Sequence, residues 1–60
     1  IMSERKLRNY MSEKFGKRNY RMRNDGGIDA YGKIPNTNNT GWYFLGWRDD
    51  VVALIKIGQL

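Results

Sequence analysis

Cysteine and histidine are both missing from this chain, and proline occurs once. Their absence excludes a disulfide staple, the usual zinc sites, and thiol or imidazole catalysis. A cysteine-free chain suits a reducing compartment, so a cytoplasmic location is expected. No apolar run approaches the ~18–20 residues of a membrane span, and no signal-peptide pattern is present. No membrane partner is expected. With 60 residues the chain makes one small domain, near the lower limit for folding without metal or disulfide support. Ile1 ahead of Met2 reads as an added residue, and the rest as a nearly complete small protein.

Acidic residues are scarce in the first third of the chain. Residues 1–23 hold Arg5, Lys6, Arg8, Lys14, Lys17, Arg18, Arg21 and Arg23 against only Glu4 and Glu13. The remainder sets Lys33, Arg48 and Lys56 against Asp25, Asp29, Asp49 and Asp50, and is nearly neutral. A basic end on a neutral body can steer toward a polyanion. The plainer alternative is a solubilising surface.

What the chain does have is aromatic surface in one place. Gly41-Trp42-Tyr43-Phe44-Leu45-Gly46-Trp47 is built from strand formers, and residues 42–48 are expected to be a strand. Simple alternation puts Trp42 and Phe44 on one face, with Tyr43, Leu45 and Trp47 on the other. Neither face is polar, so both call for cover.

The other elements follow from spacing. Residues 3–15 should form a helix, with Ser3 as N-cap, a stripe at Leu7, Tyr10, Met11 and Phe15, and Gly16 to close it. Residues 18–23 and 28–34 alternate around Asn24-Asp25-Gly26-Gly27, which predicts a β-hairpin. Gly32 is a candidate bulge. Residues 35–41 carry no core side chain and read as an exposed loop able to reach a partner. Residues 50–57 are rich in strand formers, yet Asp49 and Asp50 sit where a helix N-cap and acidic first turn belong, which favours helix. The expected fold is α+β: an N-terminal helix, a three-stranded antiparallel β-meander and a short C-terminal helix. Its core would draw on Leu7, Tyr10, Met11, Phe15, Tyr20, Met22, Ile28, Ala30, Ile34, Val51, Leu54 and Ile55.

No catalytic constellation is visible, so no enzyme activity, cofactor or metal is expected. Asp49 and Asp50 suit capping, and Asp29 suits pairing with Arg21 or Arg23 across the hairpin. An Asp25–Asp29 metal site is the weak alternative. The outer face of the hairpin is more informative. Arg21, Arg23, Tyr31 and Lys33 share it, joined by Trp42 and Phe44 or else by Tyr43 and Trp47. Cations interleaved with flat rings suit phosphates and unstacked bases.

The course Tyr20-Arg21-Met22-Arg23-Asn24-Asp25-Gly26-Gly27, then a strand, then Tyr43-Phe44-Leu45-Gly46 and a closing helix resembles the arm-type DNA-binding domains of phage integrases. Those domains, like the AP2 type, lay a three-stranded sheet in the major groove. The resemblance spans residues 18–57 and implies sheet-face contacts at Arg21, Arg23 and Lys33; the helix over 3–15 is additional. The segment from Tyr31 to Tyr43 is also similar in style to small bacteriophage proteins, which would make the location the host cytoplasm.

Two functions are therefore expected in order. The first is binding of nucleic acid, DNA ahead of RNA, through Lys17, Arg18, Arg21, Arg23, Tyr31 and Lys33. The alternative is a phage-encoded inhibitor that docks on a host enzyme or defence complex, such as a defence nuclease or a CRISPR complex, through Asn36, Asn38, Asn39, Trp42 and Trp47. A homodimer covering the spare face of the aromatic strand is compatible with either.

Overall fold

A computed structural model describes residues 1–60. Helix α1 spans Glu4–Phe15, strands β1, β2 and β3 span Tyr20–Met22, Gly27–Lys33 and Thr40–Trp47, and helix α2 spans Arg48–Lys56. The strands form one antiparallel sheet in the order β1-β2-β3. The fold is thus the α+β arrangement expected. No helix is long and apolar enough to cross a membrane.

Helix α1 starts where its cap chemistry dictates. Ser3 is extended, and its Oγ accepts the Lys6 N–H at 3.1 Å. Gly16 ends the helix at φ 107°, donating its N–H to the Ser12 carbonyl. At the hairpin, Gly26 at φ 92° lets its N–H reach the Arg23 carbonyl while the Arg23 N–H donates to Gly27. Helix α2 starts differently from expectation. Trp47 is its N-cap and offers no capping oxygen, while Asp49 and Asp50 fall inside the first turn. The start is held instead from the hairpin, where the Gly26 carbonyl accepts the Arg48 N–H at 2.8 Å.

Both helices cover the same side of the sheet. Leu7 and Met11 from α1, Ile28 from β2 and Val51 from α2 form one fully buried cluster. Ala30 is buried as well, and Met2, Phe15, Tyr20, Met22, Leu45, Val52, Ile55 and Leu60 pack around the cluster. Tyr10 reaches beyond it to donate its hydroxyl to the Leu60 carbonyl. Leu54, expected in the core, is 39% exposed.

The main departure lies in β3. Ile28 pairs with Gly46 and Asp29 with Phe44, so Leu45 is an extra residue opposite no partner. The bulge is here and not at Gly32, which pairs regularly with Gly41. An extra residue reverses the alternation beyond it. Leu45 keeps the expected face of Tyr43 and packs toward the core, but Trp47, expected beside them, shares the face of Trp42 and Phe44. Gly46 fits the bend closely, since a Cβ there would lie 3.2 Å from Val51 Cγ2.

Candidate nucleic-acid interface

The uncovered face of the sheet carries one row of side chains at every second register step. Arg21, Asp29 and Phe44 form a row across the three strands; Tyr31 and Trp42 form the next, and Lys33 pairs with Thr40 beyond it. At the other end Gly27 pairs with Trp47. Tyr31, Trp42, Phe44 and Trp47 are 40%, 41%, 46% and 50% exposed, so four rings stand on this face with much of each surface in solvent.

The rings and arginines are in contact. Trp42 meets Tyr31 edge-on at 5.5 Å between centroids, and Phe44 meets Trp47 edge-on at 5.1 Å. The Arg21 Cζ lies 4.3 Å from the Trp42 centroid and the Arg23 Cζ 5.4 Å from that of Phe44. These are cation–π distances. Gly27 makes the second pair possible. A Cβ there would stand 3.0 Å from both Arg23 Cζ and Phe44 Cε1.

Carboxylates fix both arginines. Asp29, only 15% exposed in its side chain, takes Arg21 Nη2 at 3.7 Å and Arg23 Nη1 at 3.4 Å. Arg23 also grips Asp25 with two nitrogens, and Asp25 Oδ1 accepts the Gly27 N–H at 2.9 Å. Arg23 first, and then that backbone N–H, holds the Asp25 carboxyl below the usual carboxylate range. Both carboxylates of the conceivable metal pair are thus occupied by Arg23.

Of the residues singled out from sequence, Arg21, Arg23, Tyr31, Lys33, Trp42 and Trp47 come together on this face. Phe44 and Asp29 belong with them: Phe44 as a ring that Arg23 covers, and Asp29 as the clamp. Lys17 and Arg18 are exposed in the turn after α1. That turn lies at the Tyr31 end of the sheet, since the Asn19 carbonyl accepts the Tyr31 N–H. Asn36, Asn38 and Asn39 are exposed beyond Lys33, in a loop that closes on itself. Thr37 Oγ1 donates to the Ile34 carbonyl at 2.8 Å and accepts the Asn39 N–H at 3.1 Å, while Asn36 takes φ 66°.

No protein-family model matches this chain, and no curated protein or solved structure matches it. The resemblance to integrase arm-type domains drawn from the sequence therefore finds no support in these comparisons.

Proposed function

We propose that this protein binds nucleic acid on the open face of its sheet, with bases against the aromatic rings and phosphates against the flanking cations. The observation that carries this reading is the pairing of exposed rings with guanidiniums, Arg21 on Trp42 and Arg23 on Phe44, on a face that neither helix covers. Rings left 40–50% exposed offer a base surface to stack on, beside or in place of the arginines that lie over two of them. Lys33 on the same face, with Lys17 and Arg18 at its Tyr31 end, supplies charge for the backbone. A platform of this kind favours an unpaired strand over a closed duplex, in which the base faces are already stacked.

One observation favours the second reading, a protein-binding inhibitor of a host enzyme or defence complex. Asp25 and Asp29 offset the charges of Arg21 and Arg23, leaving an aromatic-rich, weakly charged face. Exposed Trp, Tyr and Arg are also the side chains that anchor protein interfaces.

Salt dependence separates the two. Tryptophan fluorescence should report binding of a short single-stranded oligonucleotide that weakens steeply with ionic strength, several counterions being released. A slope near zero, or no binding at low salt, removes the nucleic-acid reading and leaves the inhibitor.

A further inference from the structure

Behind the hairpin turn, on the side away from the aromatic rows, α1, the turn and the start of α2 enclose an open cleft of about 310 Å³. Arg8, Arg23 and Arg48 line it, with Asn24, Gly26 and a single acid, Glu4. Arg8 and Arg48 come from different helices and converge because Glu4 takes one nitrogen from each, Arg8 Nε at 3.2 Å and Arg48 Nη1 at 3.3 Å. The two guanidiniums, Arg8 first, hold the Glu4 carboxyl below its usual range. A guanidinium has more N–H donors than one carboxylate oxygen uses, so both arginines keep donors for another ligand. The Asn24 side chain has no hydrogen-bond partner within the protein. Arg8 and Arg48 against Glu4 leave the cleft positive, while Arg23 at its rim is held by Asp25 and Asp29.

We propose that this cleft is a phosphate oxyanion site, in which Arg8 and Arg48 grip the oxyanion and Arg23 joins it to the sheet face. Planar forks suit tetrahedral oxyanions because they present parallel N–H groups. Glu4 occupies one donor of each arginine and competes with the oxyanion for them, its charge opposing the ligand's. The source of the phosphate, free or within a nucleic-acid backbone, follows from the test; only the second source rests on the function proposed above.

Inorganic phosphate is titrated into the full chain, and the arginine Nε–H and backbone amide resonances are followed by NMR. Saturable shifts are expected at Arg8, Arg48 and Gly26. Arg8→Gln and Arg48→Gln should each weaken binding at least fivefold, and Arg48→Lys by less. Glu4→Gln should tighten it a few-fold, a gain that a damaged fold cannot imitate. Unsaturable shifts, or equal shifts at Lys14, Lys17 and Lys56, overturn the site. A second arm titrates a short oligothymidylate. If it binds and the Gln variants weaken it, the backbone is the source. If phosphate saturates the cleft while the oligonucleotide fails to bind, the cleft stands for a free phosphate and the sheet-face function falls. If the oligonucleotide binds and neither phosphate nor the Gln variants register at the cleft, this proposal falls and the sheet-face function stands.

Discussion

The two faces of the sheet are built from different chemistry. The inner face presents Ile28 and Ala30 to Leu7, Met11 and Val51, all fully buried and none aromatic. On the outer face stand Tyr31, Trp42, Phe44 and Trp47, none of them covered by another element. A small domain short of core would be expected to bury its largest side chains first, since buried apolar area stabilises at roughly 25 cal/mol per Å². This one centres its core on aliphatic and methionine side chains, with Phe15 and Tyr20 at the margin, and keeps both tryptophans outside. The difference separates an aliphatic core from an aromatic surface by face, and under the function proposed above the outer rings serve binding and not the fold.

The largest effects should come from the inner face. Leu7→Ala or Met11→Ala should each cost about 2–5 kcal/mol, comparable with the whole stability of so small a domain. Thermal melts would show the loss, and a shift of only a few degrees would mean that the core lies elsewhere. Trp42→Ala and Phe44→Ala should do the reverse. Each should change stability by under about 1 kcal/mol while weakening oligonucleotide binding about tenfold or more. If melting temperature falls as far as it does for Leu7→Ala, the separation by face is broken.

The Arg21→Ala/Arg23→Ala pair sharpens the account of charge. It should lower the log–log salt slope by about 1–2, measured by fluorescence titration at several ionic strengths. An unchanged slope would assign the phosphate contacts to Lys17, Arg18 and Lys33. In the loop, Asn36→Gly with Asn38→Ala and Asn39→Ala should leave oligonucleotide affinity within about threefold, because these side chains carry no charge. Glycine is the choice at position 36 because φ there is 66°. If capture of a purified host partner is abolished instead, the inhibitor reading gains.

The smallest effect concerns acid. Arg23 and the Gly27 N–H make the Asp25 carboxyl ionise more readily in the folded chain than in the unfolded one. Its contribution is therefore full above the ordinary Asp range and disappears as pH falls through the folded value. Asp25→Asn should flatten the acid limb of melting temperature against pH below about pH 4. An unchanged limb would place the pairing with Arg23 in solvent exchange.

Much of this was legible in the residues themselves. Ser3, Gly16 and the Leu7–Met11 spacing define α1, and Asn24-Asp25-Gly26-Gly27 defines the hairpin. Two things were not. An extra residue in a strand leaves no mark in its sequence, because Leu45 reads equally well as a paired or an unpaired residue. The assignment of Trp47 failed for that reason. The helix α2 cap failed because an Asp pair suits both an N-cap and a first turn, and the deciding bond comes from Gly26, 22 positions upstream of Arg48. The cleft of Arg8, Arg23 and Arg48 was equally hidden, since its members meet only through tertiary packing.

The bulge at Leu45 has a reach beyond its own residue. Strand β3 ends at Trp47 and α2 begins at Arg48, with no linker between them. Strand parity and helix phase are therefore geared together. One added residue decides which way Trp47 faces, and also the azimuth at which the next turn delivers Val51 to the core. Removing one residue here would be a greater change than substituting any single one. It would turn Trp47 inward and Val51 off its seat in a single step. The count of residues from Phe44 to Val51 is thus held by the fold more tightly than the identity of any one of them.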